Sequence, residues 1–217
     1  SITGSLPYGK TGFLFLDRLP KHITMISLLK RQGYQSHFFY GQGAWFHNKD
    51  RLFFKNKIDL IIDKSNFDSR YNKVMALENK YFWGYNDLDL FRQSLEILDT
   101  LPSGPRIDIY FTGSMHSPFP VDNSEYYFQK LDSISTTSEV SPADQKFIKK
   151  YRLYLVSVMF FDDALKSFFK EYKSRADYKN TIFIITGDHP MTEIPIENSI
   201  RRYNVPLIIY SPLLKGS

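Results

Sequence analysis

Asn180-Thr181-Ile182-Phe183-Ile184-Ile185-Thr186-Gly187-Asp188-His189 is the stretch on which the reading of the fold turns. Its apolar, β-branched run predicts a buried parallel strand. The run stops at Gly187, and Asp188 and His189 follow at once. Side chains at the carboxyl end of such a strand face the crevice where open α/β sheets hold their ligands. An aspartate and a histidine are a hard and a borderline donor, the mixture that Zn²⁺ or Mn²⁺ accepts. A turn aspartate beside a surface histidine gives the same dipeptide, and two ligands do not complete a metal site.

Working outward, helices and strands alternate. Ile23 to Gln32 carries apolar residues at Ile23, Ile26 and Leu29, with Gly33 as a stop, and reads as a helix. Tyr34 to Tyr40 reads as a strand, Trp45 to Lys55 as a short helix and Ile58 to Ile62 as a strand. Asp87 to Leu98 places Leu88, Phe91, Leu95 and Leu98 on one helical face, with Asn86 as the cap. Arg106 to Thr112 is a strand in which Ile107, Ile109 and Phe111 alternate. Val121 to Val140 is polar and rich in Ser and Thr, and reads as an excursion loop. Ser141-Pro142 opens the longest helix, with Ser as cap and Pro at the first helical position, continuing to about Tyr172. A last strand covers Val205 to Tyr210. The expected architecture is α/β: a mostly parallel central sheet flanked by helices on both faces.

The 217 residues suffice for one α/β domain with a substantial core. No run of about 18 apolar residues is present, so no membrane span is predicted within them. No leader peptide is visible, and both ends read as cuts, with the expected domain incomplete at its N-terminus. The absence of cysteine excludes disulfides, thiolate metal sites and cysteine nucleophiles within the chain. The net charge of +5 is dispersed, with Lys146, Lys149 and Lys150 the densest group. That argues against nucleic acid and suits an anionic phosphate or lipid substrate. Aromatic residues reach 17%, enough both for the core and for lining a headgroup cleft.

Two further segments follow strands as Asp188-His189 does. Phe111-Thr112-Gly113-Ser114-Met115-His116-Ser117-Pro118-Phe119 brings His116 to a strand end, where it can bind a phosphoryl oxygen or serve as a general acid. A histidine that bonds a loop backbone has the same sequence. Gly41-Gln42-Gly43-Ala44-Trp45-Phe46-His47-Asn48-Lys49-Asp50 combines glycines, an aromatic, a histidine and a cation, which suits an anionic, glycerol- or sugar-like ligand. A surface turn entering a helix looks much the same. Gly4-Ser5-Leu6-Pro7-Tyr8-Gly9-Lys10-Thr11 matches the phosphate-loop pattern literally. It lacks the preceding strand and following helix that such a loop needs, and Pro7 removes a donor from it.

Taken in order, these pieces resemble the sulfatase/alkaline phosphatase superfamily, and within it the lipoteichoic acid synthase group of membrane phosphoglycerol transferases. Ser5-Leu6-Pro7 is similar to the segment after that family's nucleophile helix. Ile26-Ser27-Leu28-Leu29-Lys30-Arg31-Gln32-Gly33-Tyr34-Gln35-Ser36 resembles its helix-to-strand unit. Phe38-Phe39-Tyr40-Gly41 is similar to its next strand and glycine. Trp83-Gly84-Tyr85-Asn86-Asp87 resembles the WGxxD that starts a helix, and Met115-His116-Ser117-Pro118-Phe119 the HxPF segment. Tyr178-Lys179-Asn180-Thr181 through Gly187-Asp188-His189 is similar to the NT…GDH strand, and Val205-Pro206-Leu207 with Ser211-Pro212 to the strand after it.

The resemblance implies a divalent metal site, most often Mn²⁺, with Zn²⁺ or Mg²⁺ as alternatives. Asp188 and His189 match two of the ligands. His116 matches the residue that contacts the phosphoglycerol group, and Lys49 lies where the synthases carry a substrate-binding arginine. Trp45 and His47 lie near their substrate tryptophan without an exact match, which leaves the headgroup open. The family's hydroxyl nucleophile and an acidic metal ligand are expected before Ser1, as is its membrane segment. Thr3 lies too close to Ser5-Leu6-Pro7 to be that nucleophile. The implied activity is transfer of a phospho-headgroup from a lipid to an acceptor alcohol at the extracytoplasmic face of the membrane. A sulfate or phosphate ester hydrolase, or a binding domain that has lost its site, are the other readings.

Overall fold

The computed structural model describes residues 13–214 apart from 18, 20, 46, 47, 77–79, 197, 199, 200 and 202. Ser1, Thr3, His47, the Ser5-Leu6-Pro7 segment and the phosphate-loop lookalike lie outside the described residues. The chain divides between Gly113 and Ser114 into two compact units.

The first unit is built on three parallel strands: β1 (Gln35–Tyr40), β2 (Leu60–Ile62) and β5 (Arg106–Phe111), in the order β2-β1-β5. β1 is central, with Phe38 opposite Ile61 on one side and Ile109 on the other. Alternation sends its residues to two different layers. Phe38 and Tyr40 form a core with Phe53 of helix α2 (Lys49–Lys55), the Phe38 and Phe53 rings lying 4.1 Å apart. Phe39 instead stacks on Tyr110 at 5.1 Å. Phe91 of helix α3 (Asp87–Thr100) meets Tyr110 at 5.7 Å. Fully burying one such ring is worth about 1.5–3 kcal/mol, so the sheet is held from both faces. Helix α1 (Met25–Arg31) adds Ile26, fully buried, and is closed by a capping box between Thr24 and Ser27. A parallel sheet with helices on both faces bears out the expected architecture, as do the Asn86 cap and the start of α3.

One polar cluster crosses this sheet. His37 and Asp108 are register partners, and His37 Nδ1 lies 2.7 Å from Asp108 Oδ1. Arg106 Nε donates to the other carboxylate oxygen, Oδ2, at 2.7 Å. A short antiparallel pair, β3 (Val74–Ala76) and β4 (Tyr81–Gly84), leads into α3 and was not predicted. Its strands are too short to carry a readable alternation.

Among its described residues the second unit holds three α-helices, a short 3-10 turn at Tyr178–Asn180 and two strands. The polar stretch read as an excursion loop contains helix α4 (Ser124–Ser135). Only Tyr127 and Leu131, four residues apart, are buried there, so the periodic signal was thin. Tyr127 meets Phe160 edge-on at 5.7 Å. The single long helix expected from Ser141 to Tyr172 is two helices, α5 (Pro142–Lys150) and α6 (Arg152–Tyr172). Ser141 caps the first by accepting from the Asp144 N–H, as expected. The chain departs from helical geometry at Tyr151, at φ −109° and ψ 24°, where the ring is buried between Phe147 and Tyr154.

The opening stretch corrects a second expectation. It forms strand β6 (Phe183–Thr186), paired antiparallel with β7 (Leu207–Tyr210) and not buried on both faces. Phe183 packs on Phe169 at 4.8 Å and on Tyr172 at 5.0 Å, whereas Ile184, Leu207 and Ile209 are exposed on the opposite face. Hydrophobicity marks a strand but does not name its partner, and β7 is near enough in sequence to return antiparallel without a crossover helix.

Tyr127 yields a pH test. Burial first, and then the charge of Asp163 and a hydrogen bond to it, push its phenol from the ordinary 10.0 up to about 12. The raised pKa means that the folded state keeps a proton the unfolded chain gives up. The contribution is therefore complete below pH 10 and is lost as pH rises towards 12. Urea unfolding of wild type should weaken by roughly 1–2 kcal/mol across that window, and Tyr127→Phe should show less of the loss. Equal slopes would assign the alkaline loss to other groups.

Candidate functional site

In the first unit short backbone contacts tie the segment after β1 to the end of β4, where the chain turns into α3. Tyr85 N–H donates to Gly41 O at 2.9 Å. A Cβ on Gly41 would come within 2.4 Å of Tyr85 O, and one on Gly84 within 2.2 Å of Gly41 O, so the two chains touch where only glycine permits. Gln42 Nε2 donates to Tyr85 O at 3.2 Å. Gln42 Oε1 is buried without a hydrogen-bond partner among the described residues. Asp63 secures the neighbouring loop by accepting from the Ala44 N–H at 2.7 Å.

Lys49, the first residue of α2, stands at this edge. Its Nζ lies 5.1 Å from the centre of the Tyr40 ring and 5.0 Å from that of Phe111, the last residues of β1 and β5. Cation–π attraction places the ammonium beside both strand ends. Trp45, in the turn after β1, is 58% exposed, and Lys64 Nζ lies 5.8 Å from its ring. Trp45 and Lys49 thus share one strand-end region of the first unit. The sequence reading did not single out Lys64, whose position after β2 was its only signal, nor Gln42 within the glycine-rich segment.

His116 lies in the turn that opens the second unit, ahead of a cis Ser117-Pro118 peptide. Its Nδ1 lies 2.8 Å from Ser117 O, so Nδ1 carries the hydrogen and Nε2 the lone pair. Asp188 and His189 follow β6 directly. The His189 N–H donates to Asp188 Oδ1 at 2.9 Å, and Nδ1 donates to Pro190 O at 2.8 Å. That second bond selects the tautomer with its lone pair on Nε2, the form a metal ligand needs. His189 Nε2 lies 3.8 Å from Asp188 Oδ2, with both side chains more than half exposed. Two ligands about 2.1 Å from one tetrahedral ion stand about 3.4 Å apart, so a small side-chain rotation fits the pair to a metal. Among the described residues no group of three His, Asp or Glu side chains gathers, so the pair is two ligands and not a complete site.

The first unit's parallel sheet with helices on both faces is an α/β architecture, and in the second unit an Asp-His pair directly follows a strand. The sulfatase family model matches residues 4–217, and the chain belongs to that family. It is 26% identical over 227 aligned positions to the lipoteichoic acid synthase-like protein YvgJ of Bacillus subtilis, covering 97% of this chain and 34% of that protein. Among solved structures it resembles an alkaline phosphatase superfamily protein from Vibrio parahaemolyticus, with a TM-score of 0.72 and 25% identity over 99% of this chain and 47% of the other. The lipoteichoic acid synthase LtaP from Listeria monocytogenes shares the fold at a TM-score of 0.73 and 17% identity, over 99% of this chain and 52% of the other. The chain therefore spans about a third of the length of the curated relative and about half that of the solved structures.

Proposed function

We propose that the protein transfers a phosphoglycerol or related phospho-headgroup from a lipid to an acceptor alcohol through a covalent phospho-enzyme. The observation that carries this reading is the Asp188–His189 pair, with Nδ1 tied to Pro190 O and Nε2 turned to within 3.8 Å of the carboxylate. A divalent ion there, Mn²⁺ first and Zn²⁺ or Mg²⁺ as alternatives, would polarise a phosphoryl oxygen and lower the pKa of the attacking hydroxyl. His116 binds the transferring group through Nε2, and Lys49 offsets its negative charge. The exposed Trp45 ring packs on the carbon skeleton of the headgroup. His47 belongs to the same headgroup set by its place in the sequence. Support for the substrate class comes from the likeness to lipoteichoic acid synthases, and the metal suits a superfamily that is generally divalent-metal dependent.

The hydroxyl nucleophile, the remaining metal ligands and the membrane segment belong, in this reading, to residues preceding Ser1 in the full-length protein. The whole catalytic domain then stands on the extracytoplasmic face. Residues 1–217 alone should bind Mn²⁺ only weakly by calorimetry and turn over no phosphodiester. Robust metal-dependent turnover by this piece would return Thr3 to contention as nucleophile. For the full-length protein the deciding assay supplies a labelled phosphoglycerol lipid and an acceptor alcohol. Label on the acceptor supports transfer, label in water indicates an ester hydrolase, and retention on the lipid indicates a binding domain.

A further inference from the structure

Asp87 is 1% exposed, at the first position of α3, and its carboxyl group has no part in the chemistry above. A helix start favours an acidic residue through the helix dipole, which would be the simplest account of it. The capping work is done by its neighbour, however: Asn86 Oδ1 accepts from the Asp89 N–H at 2.9 Å. Asp87 Oδ1 leaves the helix and accepts from the Gly113 N–H at 2.8 Å. Burying a carboxyl group is costly unless hydrogen bonds satisfy it, so this bond needs a structural or functional return. Gly113 is the second residue after β5, and His116 follows three residues later. The opposite side of Gly113 is closed as well, since a Cβ there would come within 2.2 Å of Gln42 Oε1. Gln42 is itself held to Tyr85 O, two residues before Asp87. The peptide from which the His116 segment departs is thus gripped on its N–H by Asp87 and on its Cα by Gln42.

We infer that Asp87 is a positioning residue for His116. Its carboxyl group holds the Gly113 peptide, three residues before the imidazole, and loss of that hold loosens the chain that leads into His116. The inference rests on the role given to His116 under the proposed function. It also gives the WGxxD segment, Trp83 to Asp87, a purpose beyond starting a helix.

The test is a double-mutant cycle in the full-length protein, with the labelled lipid as substrate. Asp87→Ala should lower kcat by about 100-fold, the scale of a 1 Å misplacement, with KM and Mn²⁺ content little changed. Asp87→Asn keeps an acceptor at Oδ1 and should recover most of the loss. In a His116→Ala background, Asp87→Ala should change kcat by no more than about twofold. Additive losses would overturn the inference. A second readout needs no activity: amide hydrogen exchange at Gly113 and the residues up to His116 should run about fivefold faster in Asp87→Ala, the effect of one lost hydrogen bond. The β1–β5 ladder should keep its protection. Unchanged exchange at Gly113, or acceleration throughout the sheet, would equally overturn it. If the wild-type protein transfers no phospho-group, the functional reading falls, while the exchange measurement still decides what Asp87 holds. Should Asp87→Ala fail to fold, Asp87→Glu moves the same acceptor by one methylene and is read by the same two measurements.

Discussion

Full-length Asp188→Ala protein should contain no bound divalent metal and should lose transfer activity by about a thousandfold, whereas His116→Ala should keep its metal and lose about a hundredfold. Metal analysis of the purified variants, followed by kinetics at saturating Mn²⁺, checks both halves. The asymmetry follows from what each side chain offers. His189 has its Nδ1 committed to Pro190 O, so in the proposed site its Nε2 lone pair would serve the metal, with Asp188 supplying the neighbouring oxygen. Asp188→Ala takes away a carboxylate oxygen, the donor type Mn²⁺ prefers, and leaves His189 and the proposed upstream ligands one donor short. His116 has its Nδ1 on Ser117 O, and its Nε2 is assigned to the transferring group. Metal loss from His116→Ala would reverse that assignment.

Asp108→Ala should destabilise the fold by about 3–5 kcal/mol in urea titration, more than any other single change considered. The carboxylate lies in the parallel sheet with His37 on one oxygen and Arg106 on the other, and all three side chains are largely shielded from water. Removing the shared partner leaves an arginine and a histidine without their acceptor in a low-dielectric layer. Asp108→Asn keeps hydrogen-bonding capacity and should lose less. A loss below about 1 kcal/mol would instead put the cluster among solvent-screened ion pairs.

Much of the first unit was legible because its signals are local. Asn86 reads as a cap, the Leu88-Phe91-Leu95-Leu98 face reads as a helix, and Arg106 to Phe111 alternates as a strand should. The second unit was harder to read. In α4 two buried side chains among serines and acids give little periodicity. The break at Tyr151 interrupts a pattern that stays apolar across it, so no residue marks it. β6 was recognised as a strand, but its partner depends on which segment returns to it. Of the candidate site, Asp188-His189 stood out because two donors follow a strand without a spacer. Asp87 did not, because a carboxyl group at a helix start already has a sufficient local explanation. Its bond to Gly113 joins positions 26 apart in the chain, which no short pattern reveals.

The contact between Gly41 and Gly84 bears on redesign. With only 2.2 Å between a hypothetical Cβ on Gly84 and the Gly41 carbonyl, and Gly84 at φ +154°, neither position has room for a side chain. If the proposed headgroup site is right, a library aimed at a new headgroup should hold Gly41, Gly84 and Gly113 constant and randomise Trp45 and Lys49, whose side chains are at least partly exposed. Diversity spent on the glycines would be screened out as misfolded protein, leaving the selectivity of those two positions unexplored.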